Sequence, residues 1–352
     1  MKIVKRLDQF RKDPSIRLIL AIGNFDGFHL GHQKLIAYVV AQAKKHRALS
    51  AVMTFRQHPQ SVLHPEKKKL LLSSLEQKLF NLAQAGVDLC FLQPFTPSFS
   101  RLTAKEFVEK ILVKKLHALE VCMGYDARFG RSRRGTTDMM RSLATKNGFL
   151  FKRMEPVLIG EKPISSSLIR ELLAAGEIEK VNACLGKPFS LLGKVVKGKG
   201  HGTHLGFPTA NLEVHSNILI PLGVYAASAR FLKRPDLVLG KNLPPLSFSP
   251  WLQGVMNYGK RPTYPASETP KPVLEMHLFD FAGGVYGKYI ELALHKFIRP
   301  EKRFSNEENL KEQILHDTET AKEYHLSAIQ ENLYKAGGVG YTSATSEMRK
   351  KT

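Results

Sequence analysis

The stretch Gly23-Asn24-Phe25-Asp26-Gly27-Phe28-His29-Leu30-Gly31-His32 follows the apolar run Leu18 to Ile22 and leads into a helix-patterned segment, Gln33 to Lys45. Strand, glycine-punctuated turn and helix start are the parts of a phosphate site. The glycines let backbone N–H groups approach an anion, and the helix start adds a favourable dipole. His29 and His32 lie three apart, so a helix beginning here puts both imidazoles on one face. Two neutral-to-cationic donors beside a phosphate cradle suit a transition state that builds negative charge on phosphorus. Zinc fits poorly: the pair lacks the intervening Glu and the i,i+4 spacing of a metalloprotease helix, and the three cysteines include no closely spaced pair.

Outward from this turn the first half alternates short apolar runs with amphipathic helices, the pattern of a parallel α/β sheet. Ala51 to Phe55, Leu89 to Leu92, Glu120 to Met123 and Phe149 to Met154 read as strands. Ser73 with Glu76 and Thr103 with Glu106 have capping-box spacing and predict helices ending near Gly86 and Leu116. A second glycine-rich turn, Gly124 to Gly130, runs into the basic Arg131 to Arg134, and a helix is expected from Thr137 to Lys146. Ile164-Ser165-Ser166-Ser167-Leu168-Ile169-Arg170 then opens a helix reaching Gly176. Hydroxyls and free N–H groups at a helix start, with an arginine one turn in, form a clamp for phosphate oxygens; plain capping by serine is the competing reading.

The pattern changes at Gly186-Lys187-Pro188. Short β runs separated by Gly and Pro follow, Phe189 to Val196, Tyr225 to Phe231, Leu274 to Phe279 and Tyr289 to Phe297, as in an antiparallel barrel or sandwich. Ser305 with Glu308 predicts a closing helix, Asn306 to Tyr324, and the segment Leu232 to Pro250 reads as an elaborated loop. Gly193-Lys194-Val195-Val196-Lys197-Gly198-Lys199 begins like a P-loop, but Gly200 stands where the magnesium-binding Ser or Thr must be. Instead Gly198, Gly200, Gly202 and Gly206 precede Phe207-Pro208-Thr209-Ala210-Asn211-Leu212. Thr209 and Asn211 share a face of an extended chain, and their hydroxyl and amide oxygens suit Mg²⁺ that keeps waters and nucleotide phosphates. Glu275, in an otherwise strand-like run, is placed to face a barrel mouth and take a proton from an attacking hydroxyl; an outward-facing strand Glu is the plainer alternative.

Composition sets the bounds. At 352 residues, 43% of them hydrophobic and 24% charged, the chain has the make-up of two globular domains. Fifty-three Lys and Arg against 31 Asp and Glu give a net charge of +22, which attracts polyanions such as nucleotides. The charge is spread along the chain, so no specific nucleic-acid partner is expected. Cys90, Cys122 and Cys184 are scattered and odd in number, as in a reducing cytoplasm. No signal peptide or membrane span is expected.

Taken together the motifs resemble the bacterial bifunctional riboflavin kinase/FAD synthetase family over nearly the whole chain. Gly23 to His32 matches its Gly-x-Phe-Asp-Gly-x-His-x-Gly-His element, and Thr54-Phe55-Arg56-Gln57-His58-Pro59 its Thr-Phe-x-Pro-His-Pro element, with Gln57 for proline. Gly124 to Gly130 carries Ala127 for the usual phenylalanine, and Ser165 to Arg170 carries serine for threonine. Leu205 to Leu212 is intact, and Gly223 to Tyr225, Asn257 to Thr263, Glu275 and Ile298 to Glu301 fall in family order.

The resemblance implies an α/β nucleotidyltransferase domain with a Rossmann-like parallel sheet over 1–186, acting as an FMN adenylyltransferase. A six-stranded Greek-key barrel of the riboflavin kinase type, with a C-terminal helix, would span 187–330, and a flexible tail 331–352. It implies ATP-dependent conversion of riboflavin to FMN and of FMN to FAD, with Mg²⁺ on Thr209 and Asn211. Glu275 is the implied base for the kinase; His29, His32 and Arg170 are the implied stabilisers of adenylyl transfer. Nucleotide and flavin contacts fall, in the first half, on Gly23, Asn24, Phe25, Asp26 and Gly31, then on Asp126, Phe129, Ser166 and Ser167. In the second half they fall on Gly198, Gly200, Gly206 and Pro208, then on Asn257 and Arg299. Two alternatives stay open: a riboflavin kinase with an inactive first domain, and a nucleic-acid-binding protein using the basic charge.

Overall fold

The structure, a computed structural model, describes residues 1–10, 16–63, 70–198, 206–214, 219–232, 248–260, 272–281 and 283–336. Gly200, Gly202, Lys67 to Lys69, most of the 232–250 segment and residues 337–352 of the expected tail lie outside the described residues.

The first half is a six-stranded sheet, β1 (Lys2–Val4), β2 (Leu18–Ile22), β3 (Leu49–Phe55), β4 (Leu89–Gln93), β5 (Ala118–Gly124) and β6 (Leu150–Met154). The spatial order is β1-β4-β3-β2-β5-β6, every pairing parallel. Period-two alternation divides the strands between two cores. Leu18, Leu20, Met53, Phe91 and Val121 face one way, with Phe107, Leu112 and Met140. Ile19, Ala21, Val52, Cys90 and Cys122 face the other, with Leu35, Ile36, Val39, Leu79 and Leu82. Chain order reverses between β2 and β5, so the turns after these strands flank a topological switch point, where open α/β sheets take their ligands.

The second half is a closed antiparallel barrel: β9 (Phe189–Val196), β10 (Ala210–Val214), β11 (Gly223–Phe231), β12 (Leu252–Lys260), β13 (Pro272–Leu278) and β14 (Tyr289–Pro300). Strand β14 returns beside β11 after the β11-β12-β13 run, which is Greek-key order. A short hairpin, β7 (Leu158–Ile159) with β8 (Lys162–Pro163), separates the two. Leu191, Leu212, Tyr225, Met256, Leu274 and Leu292 fill the barrel, and the helices Ser166–Ala174 and Ile178–Leu185 join the same core through Ile169, Leu173, Ile178 and Val181. Side-chain amides tie the halves together: Gln33 Nε2 donates to the Leu185 carbonyl at 2.7 Å and Gln77 Nε2 to that of Ser190 at 2.7 Å.

Several local expectations shift. The first capping box is Ser74 with Gln77, one residue late, because the Ser73 amide is bound to Asp26 and its hydroxyl to the Gly27 amide. The helix after the glycine turn starts at Leu30, and the Thr103–Glu106 box opens three α-helical residues that widen into a π-helical stretch, Phe107–Lys115. Asn306 Oδ1, accepting from the Asn309 amide at 2.8 Å, caps the closing helix, Glu307–Ala336, rather than Ser305 with Glu308. Strands β1, β10 and β12 and the helix Ile178–Leu185 had no sequence signal. For β12 the cause is glycine: a Cβ on Gly254 would lie 2.1 Å from the His277 carbonyl oxygen, so the neighbouring strand's approach excludes the side chains that mark a strand. The three cysteines are unpaired and buried.

Candidate functional site

The glycine turn continues β2 directly, the Gly23 amide donating to the Met53 carbonyl at 3.2 Å. Phe25 (φ 51°), Gly27 (φ 80°) and Phe28 (φ 45°) all adopt left-handed backbone, a concentration of strain typical of ligand turns. Phe25 is 1% exposed, its ring lodged against Gly23, so its side chain is core and only its backbone is left to shape a cradle.

Asp26 is the keystone. Its Oδ1 accepts from the Leu72 amide at 2.9 Å and the Ser73 amide at 3.3 Å, and its Oδ2 pairs with Arg170 Nη2. Arg170 also donates to the Leu70 carbonyl at 2.7 Å and the Ser166 carbonyl at 3.0 Å, while Ser166 Oγ donates to the Asp26 carbonyl at 3.0 Å. Burial pushes the Asp26 carboxyl up; Arg170 and the two amides pull against it. The Ser165 side chain caps the helix start and Ser167 is exposed beside it. Sequence therefore brings Asp26, Ser166 and Arg170 together, but as a clamp between the turn and this helix.

His29 caps the helix Leu30–Lys45 with extended backbone, and its ring stacks on His32 at 3.7 Å between centroids. Gly31 makes room: a Cβ there would sit 3.2 Å from the His29 ring. Burial lowers His29 to about 4; His32 is lowered too, by burial first and then by His29 and Lys78. Both rings are therefore neutral near pH 7 in the ligand-free protein. Their Nδ1 atoms are buried without a hydrogen-bond partner among the described residues.

Across the switch point, Asp126 is exposed just past β5. Phe129 is buried against Phe107, with its backbone bridged to Gly135, and so holds the second turn's shape. A pocket on the opposite flank, between the ends of β2 and β3, is lined by Asn24, Asp26, Phe55, Arg56, Gln57, His58, Ser73 and Lys78. Neither histidine of the stacked pair lines it. Lys78 carried no motif in the sequence and Ser73 was read only as a helix cap; only the fold brings them to this pocket.

On the barrel the arrangement comes from register. Asn211 pairs with Glu275 on β13, and Glu275 with Asn257 on β12, so three residues far apart in sequence form one row. Their strand neighbours Leu212, Leu274, Met276 and Met256 fill the interior. The row therefore lies on the outer wall of the barrel, not at its mouth as expected, because the pleat alternates strictly here. Thr209 immediately precedes β10, on the Asn211 side, and Gly198 closes over Asn211: a Cβ on Gly198 would lie 2.0 Å from the Asn211 amide nitrogen. Gly206 is an open turn (φ 87°), and the Pro208 carbonyl bonds to His277 Nδ1 at 2.9 Å. Arg299 forms a bidentate pair with Asp317 at 2.6 and 2.8 Å, fastening the closing helix to β14.

Family models divide along the same line. Residues 12–168 match FAD synthetase and residues 185–325 match riboflavin kinase. The bifunctional riboflavin kinase/FMN adenylyltransferase of Escherichia coli K12 is 34% identical over 92% of this chain and 98% of its own length. The chain belongs to that family. The Bacillus subtilis 168 member of the family is also 34% identical, over 89% of this chain and 94% of its own. A crystal structure described as a macrolide-efflux protein from Streptococcus pneumoniae matches with a TM-score of 0.76 at 26% identity, covering 91% of this chain and 98% of that one. Among the described residues no helix is long and apolar enough to cross a membrane.

Proposed function

We propose that this protein phosphorylates riboflavin with ATP to give FMN and ADP, and adenylylates FMN with a second ATP to give FAD and pyrophosphate. One observation carries the reading: a switch-point turn with two stacked imidazoles, their Nδ1 atoms without a hydrogen-bond partner among the described residues, and a barrel-wall row of Asn211, Glu275 and Asn257 occur on one chain. The first unit corresponds to 1–186 and the second to 187–330.

On the barrel, Glu275 accepts the proton of the ribityl 5′-hydroxyl as that oxygen attacks the γ-phosphorus. Asn257, at the next register position, orients the hydroxyl. The residues present fit Mg²⁺: Thr209 and Asn211 offer a hydroxyl and an amide oxygen, and among the described residues no His, Cys, Asp and Glu cluster competes for a softer ion. Bound there, the ion would neutralise phosphate charge.

At the switch point the FMN phosphate is already an anion, so adenylyl transfer needs no strong base. The neutral N–H donors of His29 and His32 stabilise charge growing on the α-phosphoryl oxygens. Arg170 and Asp26 position the turn, and Ser166, Ser167 and Asp126 border the nucleotide. The scattered, unpaired thiols suit a cytoplasmic location. Incubating the protein with riboflavin, ATP and Mg²⁺, and separately with FMN, ATP and Mg²⁺, tests both halves by chromatography. FMN and then FAD should form in the first mixture and FAD in the second. Absence of FAD from the second would leave a riboflavin kinase alone.

A further inference from the structure

Lys78 belongs to no motif of the sequence. It lies in the helix Leu75–Gln84, one turn past the Ser74–Gln77 box, and lines the pocket between the ends of β2 and β3. Its Nζ donates to the carbonyl of Phe55, the last residue of β3, at 3.0 Å. Among the described residues that is its one hydrogen bond and it has no ion pair, so two of its three N–H donors remain for a ligand. Burial pulls its pKa down while Asp26, farther across the pocket, raises it.

Charge balance shows what is missing. Asp26 is committed to the Arg170 guanidinium and two backbone amides. Arg170 and Lys78 together set two cations against this one carboxylate, and Arg56 stands at the same pocket. A surplus positive charge on a half-buried wall is completed by an anion. The reaction has two anionic substrates, and position decides between them. The stacked histidines and the start of the helix Ser166–Ala174 do not line this pocket, although His32 is near enough to feel the charge of Lys78. In-line displacement at phosphorus sets attacker and leaving group on opposite sides of the reacting atom. If the triphosphate lies against the histidines, outside this pocket, the anion at Lys78 is the attacker. Phe55, Leu71 and Leu75 offer apolar walls beside it for a flat ring. We infer that Lys78 holds the phosphate of FMN and aims it at ATP. The inference rests on the proposed adenylyl transfer.

Lys78→Met and Lys78→Arg test it. In steady-state FAD formation from FMN, Lys78→Met should raise the KM for FMN at least tenfold and change that for ATP by less than threefold. Lys78→Arg, which keeps the charge, should keep the KM for FMN within threefold. A KM for FMN within twofold of the parent in Lys78→Met, or a larger rise for ATP than for FMN, overturns the inference. Should Lys78→Met fail to fold, lumiflavin decides on the unsubstituted protein. This ring lacks the ribityl phosphate, so it should compete with FMN at least tenfold more weakly than FMN binds, and equal competition overturns the role. Failure of the unsubstituted protein to make FAD would instead sink the transferase reading itself.

Discussion

At the switch point the candidate residues come from two turns and a helix start, whereas on the barrel they occupy register positions of three neighbouring strands. The difference lies in what else each residue does. Asp26 and Arg170 hold a turn, a loop and a helix together before any ligand arrives. Glu275 and Asn257 sit on strands whose pairing is made by the backbone rather than by these side chains. Chemistry and stability are therefore joined in the first site and separable in the second.

The largest effect sharpens that contrast. Glu275→Gln keeps the shape and the strand while removing the base, and general-base catalysis is worth roughly 10²–10⁴-fold. FMN formation should fall by about 10³-fold, the melting temperature should hold, and FAD formation from added FMN should continue. Chromatographic assay of both reactions with a thermal melt checks all three. Loss of both activities, or a clear drop in the melting temperature, would erase the separation of chemistry from stability on the barrel.

The same contrast governs what could be read from sequence. The Gly23 to His32 turn was legible because its ten residues are contiguous and glycines signal backbone that other residues resist. Its internal use was not: nothing in Asp26 and Arg170, 144 positions apart, reveals that they pair. On the barrel Glu275 stood out as a polar residue in an apolar strand pattern, and Asn211 through its spacing from Thr209. Their meeting depends on β10 pairing with β13, and neither β10 nor β12 was visible as a strand. Lys78 is the extreme case, an ordinary helix lysine until α/β packing brings the end of β3 to it. Local chemistry is written locally, and charge balance is a property of the assembled fold.

Asp26→Asn probes the joined site. It leaves the guanidinium of Arg170, half-buried with side-chain exposure of 15%, without its counter-charge. Removing one partner of a buried pair costs about 3–5 kcal/mol, here an upper figure because Arg170 keeps its two carbonyl acceptors. Calorimetry should show the parallel-sheet half melting earlier, and FAD formation should fall at least about 100-fold, equivalent to roughly 2.8 kcal/mol. An unchanged melt with lost FAD formation would make Asp26 a purely chemical residue and break the comparison from the other side.

Gly198→Ala is a smaller intervention on the barrel. The added Cβ meets the far end of the Asn211 side chain, which can swing away, so the fold should tolerate it. Displacing the amide oxygen should weaken the hold on ATP, and the KM for ATP in FMN formation should rise about tenfold, or roughly 1.4 kcal/mol. FAD formation from FMN should be untouched, and steady-state kinetics of the two reactions reads both.

The remaining effect is pH-linked, graded rather than abrupt, and treats the two halves alike. His29 and His295 are both lowered to about 4, His29 by burial in the turn, His295 by burial and by neighbouring His325 under the closing helix. In the unfolded chain each titrates near the ordinary 6.5. Above that value neither state binds the proton and stability is full. As pH falls toward 4 the unfolded chain takes up protons that the folded one refuses, so stability declines through that window. Each imidazole contributes at most about 3 kcal/mol, less if local opening lets water in. The melting temperature should fall by several degrees between pH 7 and pH 4.5. His295→Gln keeps a donor for Ser228, whose Oγ lies 2.8 Å from Nε2, and should flatten the decline of the barrel transition alone. His29→Asn should flatten only that of the sheet. A single transition that both variants flatten equally would mean the halves unfold as one, and chemistry at one site would then be no freer of stability than at the other.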